Sequence, residues 1–169
     1  DDQKSTIGFS LIGKMKNRFT KNNKDTNKLK IYMTGKLGTA LVISALRQNK
    51  ISGKYYDEVI KEMTKSNFVI YEAFKKYNIT NITDISGFGL ALHLKNLLIR
   101  NKSFKGANIY LDKILILEGA VEAMKCNVLS SLSYSNKTNL NNSLEIKSNK
   151  NNALDILFDP QTAAGFLFI

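Results

Sequence analysis

Few side chains in this 169-residue sequence are equipped for chemistry, and two short stretches hold most of them. The first reads Thr83-Asp84-Ile85-Ser86-Gly87-Phe88-Gly89-Leu90-Ala91-Leu92-His93, with a carboxylate three residues ahead of a glycine pair and then an apolar helical pattern. Carboxylates are hard oxygen ligands of the kind Mg²⁺ takes, and that cation shares its shell with waters and nucleotide phosphates. A glycine turn opening a helix adds backbone N–H groups and the positive end of a helix dipole, both suited to phosphate. The same residues fit a plainer purpose, because Asp84 or Ser86 as an N-cap would satisfy the first amides of the helix. Taken alone, D-x-S-G-x-G leaves both readings open. The second stretch is Phe158-Asp159-Pro160-Gln161-Thr162-Ala163-Ala164-Gly165, a turn built on the only proline.

Other reactive groups are scarce. A single histidine, His93, rules out a zinc site made of histidines and gives no Ser-His-Asp triad; mid-helix, it reads as a packing residue. The lone Cys126 excludes an internal disulfide and a cysteine-rich zinc cluster, and it fits a reducing compartment. It has no obvious basic partner and ends a helix, where the dipole disfavours a thiolate, so it is not read as a nucleophile.

These residues must be positioned by the elements around them. Ile7, Phe9 and Leu11 alternate as in a strand, a polar loop follows over about 16–28, and Leu29, Ile31 and Met33 alternate again before the glycines of TGKLGTA. Thr39 onward reads as a first helix. The run from Tyr55 to Asn78 reads as one long helix whose stripe takes in Tyr56, Val59, Ile60, Met63, Ile70, Phe74 and Tyr77, interrupted by Asn67 on its buried face. A structural bond to a neighbouring loop is expected for that amide. ITNITDIS then reads as a strand and turn, about 88–100 as a helix, GANIYLDKI as a strand with Ile109 and Leu111 inward, and LILEGAVEAMK as a short helix. From Ser130 to Asn152 the Ser, Asn and Lys content predicts a long loop, flexible over about 134–152. The chain closes on a turn and a strand. This pattern predicts one α+β domain over 1–169, a mixed sheet with packed helices.

Composition narrows the partners. The 25 Lys and Arg against 14 Asp and Glu give a net charge of +11, but the excess is almost all Lys in Asn-rich company. That reads as a solvated surface rather than a nucleic-acid groove. No apolar run has the length of a membrane span, and the DDQKST start is no secretory signal, so the cytoplasm is the expected compartment. The absence of an initial Met and the apolar end FLFI read as a fragment.

Together, TDISGFGLALH and DPQTAAGFLF resemble the TD-[VI]-[ST]-GFGL-x-x-H and DPQTSGGLL segments of the selenophosphate synthetase (selenide, water dikinase) family. IYMTGKLGTALVISALR is similar to its strand, turn and helix around Leu-Thr-Lys-Pro-Leu-Gly-Thr-Gly, and Met63 with Asn67 matches a Met and an Asn on its next helix. The resemblance implies the carboxyl-terminal domain of that family, with the fold of the aminoimidazole ribonucleotide synthetase superfamily. It implies ATP-dependent phosphoryl transfer to selenide, giving selenophosphate, AMP and phosphate, with Mg²⁺ on the phosphates, in a homodimer. By position, Asp84 inherits a Mg²⁺ ligand; Thr83, Ser86, Gly87 and Gly89 inherit the approach to the nucleotide; Asp159, Gln161 and Thr162 inherit a turn near the site. The reactive Cys or selenocysteine, the Lys and most of the metal-binding aspartates belong to an amino-terminal domain absent here, so the piece alone is expected to be inactive. Ala163 and Ala164 stand where the family has Ser-Gly, and Gly35-Lys36 where it has Lys-Pro. Another ATP-dependent synthetase of the superfamily, of hydrogenase-maturation or purine type, and a non-catalytic scaffold or nucleic-acid-binding module are the alternatives.

Overall fold

A computed structural model describes residues 8–10, 12–13, 29–77, 79, 81–100, 105–140, 143, 145 and 154–169. The expected loop over 16–28 lies outside them, as do Ile7 and Leu11 of the expected first strand; Phe9 is exposed and Gly8–Ser10 have no regular structure. The α+β expectation is borne out. Three short strands, β1 (Tyr32–Met33), β2 (Ile82–Asp84) and β3 (Phe166–Phe168), form a sheet in the order β1-β3-β2 with both pairings antiparallel. A single parallel bridge links Leu37 to Ile116 outside it.

The closing strand β3 is central because its alternation serves two faces. Leu167 is buried in the core, while Phe166 and Phe168 point the other way and pack edge-to-face with the Phe74 ring, centroids 5.2 and 4.9 Å apart. The core joins Leu167 of the sheet to the buried faces of helices α1 (Thr39–Arg47) and α5 (Glu118–Lys125), which pack on each other. Leu41, Val42 and Ala45 of α1 face Gly119, Ala120 and Ala123 of α5, all buried. The small residues let the helices close up. A Cβ on Gly119 would stand 2.8 Å from Tyr55 and 3.2 Å from Val42. Helix α4 (Gly89–Arg100) buries Leu90, Ala91, His93, Leu94 and Leu97.

Three expectations need correction. The long helix from Tyr55 to Asn78 is two, α2 (Tyr56–Thr64) and α3 (Phe68–Lys76), separated at Lys65–Asn67. Lys65 is extended, and the Ser66 hydroxyl accepts the Phe68 N–H at 3.3 Å, a local bond that competes with the helix ladder. Asn67 therefore sits in the break, half-buried, where its carbonyl opens α3 by accepting from Tyr71; Tyr56 and Tyr77 are exposed. No strand forms over GANIYLDKI. Leu111–Lys113 coil into one 3-10 turn, closed by the Lys113 N–H on the Tyr110 carbonyl, while Ile109 and Leu111 still pack half-buried on the core. Lastly, the expected loop after Ser130 contains a helix, α6 (Ser133–Asn139). Its inner positions are Ser133 and Asn136, with Leu140 just beyond, spaced for one helical face but two of them polar.

The turn into β3 carries the departures from the family pattern. Ala163 has φ 54° and is exposed, whereas Ala164 is fully buried and not left-handed; Gly165 has φ 82°. Gly35 is required by close approach, since a Cβ there would overlap the Ala164 carbonyl. Lys36 uses its N–H on Glu62 Oε1 at 3.0 Å, and its ammonium pairs with Glu58 at 2.9 Å. A left-handed alanine costs about 1 kcal/mol or more, partly offset by the chain entropy glycine adds when unfolded. Ala163→Gly should therefore raise the unfolding free energy by about 0.5 kcal/mol, measured by denaturant titration.

Candidate active-site turn and the segment that holds it

Asp84 closes β2 opposite Phe166, and its side chain is exposed. Among the described residues its carboxylate has no hydrogen-bond or ion-pair partner. Neither Asp84 nor Ser86 bonds a side chain to the first amides of α4, so neither serves as the simple cap that the sequence left open. The turn is held by other means. Ile85 N–H bonds to Gly165 O at 3.0 Å, and the Ser86 carbonyl accepts both Gly89 N–H (3.0 Å) and Gln161 N–H (3.1 Å). Ser86 N–H donates to His93 Nε2 at 3.1 Å, and the Ser86 hydroxyl lies 3.3 Å from the same nitrogen. His93 is buried; desolvation pushes its pKa down, against the pull of the Asp84 charge, with Arg100 adding to the lowering. A neutral ring with Nε2 as acceptor is what the Ser86 amide requires. Because that lone pair is engaged by an amide, the Ser86–His93 contact is not a nucleophile and its base.

The other predicted residues divide. Thr83 is half-buried in mid-strand opposite Leu167. Gly87 is exposed, with nothing within 4 Å of where a Cβ would stand. Gly89 has φ 73° and its open side is filled by the chain itself: a Cβ would lie 2.9 Å from Leu157 O and 3.1 Å from Asp159 O. Its glycine is needed for packing of α4 on the second stretch.

That second stretch does something its sequence does not announce. Helix α1 begins at Gly38 with φ 113° and no cap from its own chain neighbourhood. Gln161 Oε1 accepts the N–H groups of Gly38 (2.9 Å) and Thr39 (3.2 Å), and Asp159 Oδ2 accepts that of Leu41 at 3.3 Å. The Thr39 hydroxyl accepts Thr162 N–H at 2.9 Å. Gln161 Nε2 ties the pair together, donating to the Asp159 carbonyl and to Oδ2 at 2.8 and 2.9 Å. The amides a helix leaves unmet are thus satisfied by side chains from the far end of the domain.

Asp159 is fully buried, and its Oδ1 has no hydrogen bond among the described residues. Burial raises its pKa to about 7, outweighing the Leu41, Gln161, Ser130 and Ala40 donors that favour its charge. Sequence reasoning also missed Asn136 of α6. It is buried, and its Nδ2 donates to Gly87 O and to Phe158 O, 2.9 Å each, bridging the two stretches. Only its position at i+3 from Ser133 and i−4 from Leu140 signalled an inner face.

Among the described residues no three His, Cys, Asp or Glu side chains come together as a metal cluster, and on this turn Asp84 presents a single exposed carboxylate. Nor is any described helix long and apolar enough to cross a membrane.

No protein-family model matches the chain. Individual relatives do. It is 32% identical over 164 residues to a selenide, water dikinase of Campylobacter jejuni (strain RM1221), covering 95% of this chain and 46% of the relative. A selenide, water dikinase of Clostridioides difficile (strain 630) is 28% identical over 169 residues, 99% of this chain and 48% of the relative. The selenide, water dikinase 2 of Peptoclostridium acidaminophilum is 27% identical over 172 residues, again 99% and 48%. The chain spans about half the length of the curated relatives it matches. Its similarity to selenide, water dikinases extends along nearly the whole of it, which bears out the resemblance drawn from the two motifs.

The raised pKa of Asp159 fixes a sign. Its contribution to stability is full below the ordinary carboxylate pKa of 3.8 and is lost as pH rises through about 7. Asp159→Asn, isosteric and uncharged, should therefore gain on the parent chain between those values, on the order of 1 kcal/mol per pH unit, and run parallel above them. Unfolding free energies measured across pH 4 to 8 check this, and a pH-independent difference would place the charge elsewhere.

Proposed function

We propose that this chain is the carboxyl-terminal half of a selenide, water dikinase, which transfers phosphate from ATP to selenide and releases AMP and orthophosphate. The observation that carries the reading is the pairing of end-to-end similarity to such enzymes with a free carboxylate on the turn the motif singles out. Asp84 fits a hard cation: it is ionisable, exposed and not committed to any amide of the fold. Mg²⁺, when bound, neutralises phosphate charge and bridges phosphate oxygens. Since that ion takes about six oxygen ligands, one carboxylate is a contribution rather than a site. The remaining ligands, with the Cys or selenocysteine and the Lys, are assigned to the amino-terminal half of the protein.

On this reading Thr83, Ser86 and Gly87 lie along the approach of the ATP phosphates, with Gly87 leaving room for them and Gly89 fixing the turn against the 157–159 backbone. Asp159, Gln161 and Thr162 keep the frame rather than touch substrate. The protein acts as a cytoplasmic homodimer, ATP and selenide are its substrates, and residues 1–169 alone do not turn over.

In the full-length protein, Asp84→Ala and Asp84→Asn should each lower selenide-dependent ATP consumption by more than ~10-fold and raise the Mg²⁺ concentration needed for half-maximal rate. Being exposed, the residue should leave the melting temperature unchanged. Normal Mg²⁺ dependence in both variants would remove Asp84 from the cation's shell and leave the reading without its residue.

A further inference from the structure

We propose that Asn136 is a positioning residue that sets the direction of one backbone N–H, that of Phe88, toward the phosphates of a nucleoside triphosphate; this rests on the reading of the preceding section. The hydrogen bonds inside the turn fix Ile85, Ser86 and Gly89 but not the peptide between Gly87 and Phe88. That peptide follows a glycine with open space around it, the arrangement most free to rotate. Its carbonyl is held by Asn136 Nδ2 at 2.9 Å, from a side chain only 4% exposed. Asn136 is itself immobilised, because the second hydrogen of the same amide goes to Phe158 O at 2.9 Å.

In a trans peptide the C=O and N–H point in opposite directions. Holding the Gly87 carbonyl toward buried Asn136 therefore turns the Phe88 N–H away from it, and among the described residues that N–H has no acceptor. It lies on the same turn as the free Asp84 carboxylate. A donor and a divalent-cation ligand on one turn match a phosphate carrying its cation, and a donor preset in direction needs no reorganisation when the anion arrives. Rotation of the peptide would put a carbonyl there instead. Asn136 thus acts through Gly87 without touching the ligand.

Full-length protein would be titrated with ATP and Mg²⁺ by calorimetry, and backbone hydrogen exchange followed in parallel. Asn136→Ala should weaken ATP binding roughly tenfold, the worth of one hydrogen bond to a charged phosphate. It should speed exchange within 85–89 while leaving α1 and α5 protected, and Asn136→Gln, which keeps the amide, should recover part of the affinity. Unchanged affinity in folded Asn136→Ala, or exchange rising equally throughout the domain, overturns the proposal. Should the alanine variant not fold, Asn136→Ser, with one donor kept, takes its place under the same criteria. If the parent protein binds no ATP, the functional reading falls and this proposal with it. If the parent binds ATP and Asp84→Ala weakens binding while Asn136→Ala does not, only the proposal falls.

Discussion

The domain depends on how the start of one helix is capped. α1 sits at the centre of the core, begins on a left-handed glycine and has no side chain of its own placed to meet its first amides. Unmet, those donors would be buried at a cost of 1–3 kcal/mol apiece. Asp159 and Gln161 meet them from more than a hundred residues away, and the same short segment does two further things. Gln161 N–H holds the Ser86 carbonyl, and five residues after Gln161 the chain enters β3, the strand on which β1 and β2 both pair. Helix, sheet and the Asp84 turn therefore share one point of attachment. The capping acid adds a tension, since an anion suits a helix N-terminus but not a dry interior, and the second effect is the larger at Asp159.

Seen this way, the groups that look chemical in the sequence fall into two sets. Gln161, His93 and Gly89 are used up inside the fold by their contacts, and Asp159, whose Oδ1 has no hydrogen bond among the described residues, is fully buried. Asp84, the open side of Gly87 and the Phe88 N–H are not. The separation follows from the hydrogen bonds, because a turn whose carbonyls and amides are held from within by Gly165, Gln161, His93 and Asn136 leaves only its outward groups free. Rigid support behind a small exposed set is what a phosphate and cation site needs, as misplacement by an ångström is costly in such chemistry.

How much of this was legible in the sequence depended on whether burial was apolar and local. Helices α1, α4 and α5 show their apolar faces at helical spacing and were found. The break between α2 and α3 was not, because Met63 and Phe74 keep the rhythm across it while a single hydroxyl at Ser66 competes locally with the ladder. Helix α6 was hidden for the opposite reason: its inner residues are buried by hydrogen bonding, and a period carried by Ser133 and Asn136 is invisible to a search for apolar stripes. The segment GANIYLDKI has strand-like residues, yet β-propensity describes a fit to a sheet surface, and this stretch closes on itself at Leu111–Lys113 instead. Asp84 stands between cap and ligand because its role turns on what holds α4's entry turn, and the answer, the bond from Ser86 to a histidine seven residues further on, is not written in local propensity. The work of Asp159 and Gln161 was out of reach for the same reason, at far greater separation.

The residues at 35–36 and at 163–165 also meet as one contact. Gly35 and Ala164 stand against each other where the turn before α1 meets the turn before β3, and the absence of a Cβ at 35 is what lets the Ala164 carbonyl in. A proline at 36 could not give Glu62 the amide hydrogen that Lys36 gives. Gly35 is thus matched to the backbone at 164, and Lys36 to Glu62. The remaining strain is at Ala163, which is exposed and makes no contact that the Asp84 turn uses. Gly165, two residues on, keeps its left-handed backbone and its carbonyl still receives Ile85 N–H at 3.0 Å. In this turn the left-handed strain is thus confined to Ala163, and the bond that ties Ile85 to Gly165 is kept.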